Sequence, residues 1–306
     1  MRWVVVPVIG LAMLVVVPLG LRLVEAPGLA TIRRAWPLAG AAGVLALLLP
    51  TGWPAVLLAG VYAAATVALV GAAAARYWAR ISLAPTGPEG KAARNWLPIP
   101  AELAVLTALV TPSVAGLALV AERGGWMLLG FAPKILLLTV AHFHYAGFAA
   151  ALVAYLVARV EPTNRWAAIG ALTVPVGTLI VLLGFFLGDG VGLVGATVLT
   201  GGMWLVGGLA WRARSSAPDR ATRVLLATSS AVLLVTMALA LDWALGRAFG
   251  VPKLSLTWMA ATHGVLNAVG FGFCAVLAWN RMPTGTKGVG PVSVGERGGR
   301  TRREAA

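Results

Sequence analysis

Nine apolar segments, each close to the length that crosses a lipid bilayer as a helix, constrain this chain more than any other feature. They cover approximately residues 3–21, 35–50, 54–75, 97–120, 133–158, 166–187, 190–211, 223–245 and 255–279. Hydrophobic residues make up 59% of the chain and charged residues only 11%, which excludes a water-soluble globular domain. The sequence therefore predicts an all-α polytopic protein of the cell membrane with about nine transmembrane helices.

The basic residues alternate between the two sides of these predicted helices. Nineteen of the 24 Lys and Arg residues fall on one side, among them those of the C-terminal tail. Because cytoplasmic loops carry the excess of positive charge, the N-terminus is expected outside and the C-terminus in the cytoplasm. This orientation accounts for the net charge of +14, and the lipid bilayer, not nucleic acid, is the expected partner.

Two segments of low apolar content suggest how the chain is organised. The loop from Ser82 to Asn95 contains two prolines and two glycines and is the longest internal linker. It predicts a three-helix unit over residues 1–80 and a six-helix core over residues 96–281. The segment 282–306 is rich in Gly, Thr and Arg, which predicts a disordered basic cytoplasmic tail.

All three histidines of the chain lie inside apolar segments, where a polar ring is costly unless it ligates, pairs or carries protons. His142 and His144 lie 8 and 10 residues past Lys134, and His263 lies 10 residues past Lys253. In the predicted orientation these positions have matching depths in the outer half of the bilayer. Asp242 approaches the same half from the eighth segment, and Asn267 lies one turn beyond His263.

The spacing of His142 and His144 limits what the pair can do. Two residues apart on a helix, their side chains point about 200° from each other, so they do not readily share one metal ion. Either they serve two centres, or one faces a centre while the other bonds to a neighbouring helix. Helical geometry leaves both alternatives open.

The run Val140-Ala141-His142-Phe143-His144-Tyr145 resembles the tenth helix of haem–copper oxidase catalytic subunits. There the first histidine binds the oxygen-reducing haem and the second the low-spin haem. The oxidases need further histidines on other helices, and this chain has only His263 left. The resemblance therefore implies no complete dinuclear centre, and the chain is not expected to be a stand-alone enzyme. One bis-histidine haem b, from His263 and one of the pair, would fit the residues available.

A longer pattern is similar to the YndJ-like bacterial integral membrane proteins. It comprises the run from His142 to Phe148, then His263-Gly264, Asn267-Ala268 and Gly270-Phe271. The similarity covers roughly the fourth to the ninth segment. It implies that the two histidine-bearing helices matter, and it implies no mechanism.

Further polar residues extend the possible route through the membrane. Tyr62, Tyr145 and Tyr155 could continue a hydrogen-bonded path. Glu102, near the start of the fourth segment, has two interpretations. It either interacts favourably with the dipole of a first helical turn or stands at the mouth of a proton path.

Three hypotheses follow. His142, His144 and His263 could bind haem b, or a metal ion, for electron transfer or gas-ligand binding, with a redox partner. The same histidines with Asp242 could serve a proton-coupled carrier of a small molecule or ion, and the glycine-interrupted stretch from Leu183 to Gly195 then predicts discontinuous helices. In the third, the histidines only join helices by hydrogen bonds.

Overall fold

The computed structural model describes residues 1–82 and 98–283, and within them it contains nine long helices. Their bounds are α1, Arg2–Leu21; α2, Leu29–Leu48; α3, Trp53–Ser82; α4, Pro98–Gly124; α5, Pro133–Val160; α6, Arg165–Leu187; α7, Asp189–Ala213; α8, Arg220–Phe249; and α9, Leu256–Arg281. The only β-pairing in these two ranges is an isolated bridge between Leu128 and Phe131. The all-α prediction is confirmed.

Eight of these helices are long and apolar enough to cross a membrane, and α2 is the exception. It has 20 residues, and Arg33 and Arg34 reduce the apolar content of its first turns. It begins at Leu29, six residues before the predicted start, after Gly28 in a left-handed conformation. The extension has a physical cause, because the Arg33 guanidinium donates to the carbonyls of Leu21 and Val24 at the end of α1.

The helices share one apolar core, and α1 lies against both α5 and α9. Asn280 near the end of α9 donates to the carbonyl of Leu19 in α1 over 3.1 Å. The first helix therefore packs directly on the last helix of the chain. The predicted division into 1–80 and 96–281 stays a prediction. Most of its linker and nearly all of the predicted tail, residues 83–97 and 284–306, lie outside the described residues.

Three helices contain π-helical segments, a rare conformation that occurs frequently at functional sites. They are Ala12–Val16 in α1, Phe143–Ala149 in α5, and Ala260–Gly264 with Leu266–Phe273 in α9. The segments of α1, α5 and α9 pack against one another. In α1, Pro18 has no N–H to offer the Met13 carbonyl five residues back, and the Trp36 indole donates to that carbonyl over 2.9 Å.

Glycines bring α6 and α7 into close antiparallel contact. A Cβ on Gly184 would lie 2.4 Å from the Gly192 Cα, and one on Gly195 would lie 2.4 Å from the Val181 backbone nitrogen. Gly177 approaches the backbone of Leu199 in the same way. The prediction of discontinuous helices between Leu183 and Gly195 is wrong. Both helices are continuous up to the turn at Gly188, and these glycines serve helix packing.

Candidate functional site

His144 lies in the middle of the bundle and is fully buried. Its Nε2 is 2.5 Å from the Tyr62 hydroxyl of α3, and its Nδ1 is 2.6 Å from the carbonyl of Val140 one turn earlier in α5. A carbonyl only accepts, so Nδ1 carries the proton and donates to Val140. Nε2 then accepts from Tyr62. Both ring nitrogens of His144 are therefore already engaged.

Tyr62 is held in place by the helices around it. Its ring meets the Trp36 ring edge to face, with centroids 5.8 Å apart, and it also packs against Gly43 of α2. A side chain on Gly43 would collide with the tyrosine ring, because its Cβ would lie 3.0 Å from two ring carbons. The small residue in α2 thus allows the tyrosine to reach His144.

Tyr145 occupies the junction of the three π-containing helices. Its hydroxyl donates to the carbonyl of Val8 in α1 over 2.8 Å. Its ring lies so close to Gly272 of α9 that a Cβ there would be 2.7 Å away. Tyr145 therefore connects α5 to both α1 and α9.

His142 points away from His144, towards α9. Its side chain is exposed at the helix surface although it lies deep along α5. It lies near enough to His263 for their charges to interact. Within the described part of the chain, the His142 ring makes no hydrogen bond. Of the two neighbouring histidines, His142 is thus the one that faces His263.

His263 belongs to a small polar cluster between α8 and α9. Its Nδ1 is 2.8 Å from the Thr236 carbonyl, so this nitrogen is the donor. Its Nε2 is left to accept from the Asn267 amide, 3.2 Å away. The Thr236 hydroxyl in turn donates to Asn267 Oδ1 over 2.9 Å. His263 and Asn267 are four residues apart and therefore lie on one face of α9.

Asp242 and Asp189 are not part of the His144 or the His263 cluster. Asp242 is exposed on α8 and has no hydrogen bond or ion pair with any described residue. Asp189 forms an ion pair of 2.7 Å with Arg247 at the bundle end that is predicted to be external.

Glu102 and Tyr155 both interact with Arg76 at the opposite end of the bundle, which is predicted to be cytoplasmic. Arg76 of α3 is almost completely buried and donates to both carboxylate oxygens of Glu102, over 2.9 and 2.8 Å. Arg80 adds a second ion pair of 2.8 Å with the same carboxylate. The guanidinium groups of Arg76 and Arg159 both lie over the ring of Tyr155. The interpretation of Glu102 as a first-turn acid is wrong, because Glu102 is the fifth residue of α4 and lies beyond its first turn.

A second buried ionic cluster, which sequence reasoning missed, lies at the predicted outer end. Glu122 and Arg123, at the end of α4, are both nearly inaccessible and pair with each other. Arg2 of α1 donates to Glu122 over 2.8 Å, and Arg123 donates to the Leu49 carbonyl at the end of α2 over 3.1 Å. The signal in the sequence is an adjacent acid and base just beyond the fourth apolar segment.

The helices α1–α5 therefore contain three polar layers at different depths. The middle layer contains Tyr62 and His144, and the end layers contain Glu122 with its arginines and Glu102 with its arginines. Residues 1–82 and 98–283 contain no group of three or more His, Cys, Asp or Glu placed to hold a metal ion.

Comparison with known proteins gives a family and no fold template. The family model described as "YndJ-like protein" matches residues 7–271. The chain is also similar to "Uncharacterized membrane protein YndJ" of Bacillus subtilis (strain 168), with 26% identity over 182 residues. That match covers 58% of this chain and 32% of the relative, so the chain spans about a third of the length of that relative. No solved structure matches, and the resemblance of Val140–Tyr145 to the oxidase helix is not confirmed.

Proposed function

Since the chain belongs to the YndJ-like protein family and is a multi-pass membrane protein, we propose that it is a proton-coupled carrier of a small molecule or ion. The observation that carries the proposal is the buried hydrogen bond between Tyr62 and His144. The titratable ring lies inside the bundle, between the buried carboxylate of Glu122 near one end of α4 and the partly exposed carboxylate of Glu102 near the other.

Protonation of His144 would change how α3 and α5 fit together. In the neutral ring Nε2 accepts from Tyr62, whereas a protonated Nε2 can only donate. The tyrosine hydroxyl would then have to turn and donate elsewhere. A proton at this position therefore alters a contact between two helices, which is the coupling that a carrier needs.

The spacing of the three polar layers also fits a carrier. Tyr62 and Arg76 are 14 residues apart in α3, which is roughly 21 Å along the helix axis. The hydrogen bonds of the described residues do not join the layers. A continuous path would leak protons, whereas separated layers need a conformational change to pass one on.

Proteoliposomes containing a trapped pH indicator test the proposal. Candidate solutes would be added from outside, and the expected result is a pH change with at least one solute, abolished in His144→Gln. Glutamine can form hydrogen bonds but does not titrate near neutral pH. Tyr77→Phe, on the exposed surface of α3, is the matched control and should retain the flux. A flux that survives in His144→Gln, or no flux with any solute, would overturn the proposal.

A bis-histidine haem b at His142 and His263 is the second candidate, favoured by the position of His142. Its ring is unbonded within the described chain and faces His263. The donation from His263 Nδ1 to the Thr236 carbonyl resembles the outer hydrogen bond that usually orients a ligating histidine. Nε2 would be the ligand to iron once it gives up its long bond from the Asn267 amide, 3.2 Å away. His144 fits less well, because a ligand nitrogen would have to leave Tyr62 or Val140. The group would supply electron transfer or gas binding through its iron.

An absorption spectrum of protein purified from a haem-replete host distinguishes the two candidates. The haem proposal expects a Soret band with sharp α and β bands after reduction, lost in His142→Ala and in His263→Ala but retained in His144→Ala. A colourless, folded, metal-free preparation would overturn it and would leave the carrier proposal standing.

A further inference from the structure

A basic cavity opens between α1 and α2 at the predicted cytoplasmic end. Its volume is about 210 Å3, and it is lined by Pro18, Arg22, Arg33, Arg34 and Pro37. Arg22 lies just after the end of α1, whereas Arg33 and Arg34 lie near the start of α2. Three guanidinium groups from two helices thus share one small concave surface.

The three arginines have different roles. Arg33 donates from Nε to the Leu21 carbonyl over 2.8 Å and from Nη2 to the Val24 carbonyl, so it caps the end of α1. Arg22 and Arg34 are exposed, and their side chains form no hydrogen bond or ion pair within the described chain. Arg33 thus shapes the cavity, while Arg22 and Arg34 are available to a ligand.

The charge of the cavity is not balanced by the protein. Glu25 is the one acid whose charge acts on Arg33 appreciably, and Arg22 acts on it with the opposite sign. Even with Glu25 counted, the group retains a net positive charge of two. Like charges held together repel each other, so an anion in the cavity would be bound favourably.

The apolar part of the cavity indicates what kind of anion fits. Pro18 lies four residues before Arg22, and Pro37 four residues after Arg33, so each proline lies one turn deeper in the membrane on the same face as an arginine. Leu38, beside Pro37, is 78% exposed and continues the apolar surface towards the bilayer centre. Cationic groups at the rim and an apolar floor below them match the phosphate and the acyl chain of a phospholipid.

We propose that Arg22, Arg33 and Arg34 form a binding site for the phosphate of an anionic phospholipid, whose acyl chain lies over Pro18, Pro37 and Leu38. The site is separate from the Tyr62–His144 pair and does not depend on the transport proposal. Its ligand would reach it laterally from the bilayer, since Pro37 and Leu38 are exposed on the surface of the bundle. Basic cavities between transmembrane helices on the cytoplasmic side are known to bind anionic head groups.

Native mass spectrometry of the full-length protein in a neutral detergent tests this site. The probes are dioleoylphosphatidylglycerol, dioleoylphosphatidylcholine and inorganic phosphate. The wild type should retain phosphatidylglycerol in preference to phosphatidylcholine. The variant Arg22→Gln/Arg34→Gln should bind phosphatidylglycerol roughly thirty-fold more weakly, the effect of two arginines near a membrane surface. Arg33 is left unchanged because it caps α1.

The matched control is Arg220→Gln/Arg223→Gln, which removes the same charge at the same end of the bundle from two exposed arginines outside the cavity. It should retain phosphatidylglycerol like the wild type. If the double variant does not fold, Arg34→Gln alone, at an exposed position without bonds, should still weaken binding. Equal loss in the control, equal retention in the cavity variants, or displacement of the lipid by inorganic phosphate would each overturn the proposal.

Discussion

The hydroxyl of Tyr62 in α3 lies 2.5 Å from Nε2 of His144 in α5, and both side chains are completely buried. The two residues are 82 positions apart in the chain. This bond satisfies the second nitrogen of a ring whose first nitrogen already donates to Val140. The imidazole is thereby held in one tautomer and one orientation between two helices.

Tyr62→Phe should destabilise the protein, because it leaves Nε2 of His144 buried without a donor. Hydrogen bonds between membrane helices contribute about 0.6–1.7 kcal/mol, and we expect a loss within that range. Chemical unfolding in mixed micelles measures it. Tyr77→Phe, at a half-exposed position of the same helix, should change the free energy of unfolding little. An unchanged midpoint in Tyr62→Phe would contradict the hydrogen bond.

Glu122→Gln should be among the most harmful substitutions that leave the shape of a side chain unchanged. Arg123 is 1% exposed, and the substitution would leave its charge buried without a counter-ion. Removing one partner of a buried pair costs about 3–5 kcal/mol. Asp189→Asn breaks an exposed pair with Arg247 and should cost at most about 1 kcal/mol. Similar unfolding midpoints for the two variants would contradict this ranking.

Gly195→Ala should separate α6 from α7, because the new Cβ would lie 2.4 Å from the backbone nitrogen of Val181. Forcing a methyl group into a packed contact costs about 1–3 kcal/mol. Gly201→Ala in α7 faces open space and should be neutral or slightly stabilising. Thermal unfolding of both variants in detergent provides the comparison, and a stabilised Gly195→Ala would rule out the close helix contact.

Asp219 should make stability depend on pH in the acid range. The backbone N–H of Thr222 and then the Arg281 guanidinium hold the pKa of this carboxyl below its usual range. Because the folded pKa is lowered, the contribution is complete above the ordinary aspartate pKa of about 3.9 and is lost as the pH falls through the folded value. The difference in unfolding midpoint between the wild type and Asp219→Asn should therefore be constant near neutral pH and should shrink below about pH 4. A pH-independent difference would contradict this assignment.

The helices themselves could be predicted, since hydropathy is a local property and a run of apolar residues must form helix when it crosses lipid. Two bounds differ by more than a few residues. The helix α3 continues to Ser82, seven residues beyond the predicted end, and α2 begins six residues early, where Arg33 bonds to the end of α1. That bond joins residues in two helices, and the composition of either segment alone does not reveal it.

The candidate site was predictable in part. Burying two histidine rings in an apolar membrane helix costs free energy, so His142 and His144 could be selected from the sequence. The different partners of these two histidines could not be predicted, because the direction of each ring depends on how α5 packs between α3 and α9. The Arg76–Glu102 pair was hidden for the same reason, since its two residues lie on different helices.

Composition and hydropathy are enough to predict a membrane bundle, the approximate bounds of most helices, and the few polar residues within the apolar spans. The pairing of His144 with Tyr62, the approach of His142 to His263, and the common burial of Glu122 and Arg123 depend on how the helices pack. Apolar length acts within one segment, whereas hydrogen bonds and ion pairs depend on the rotation and approach of helices that are distant in the chain.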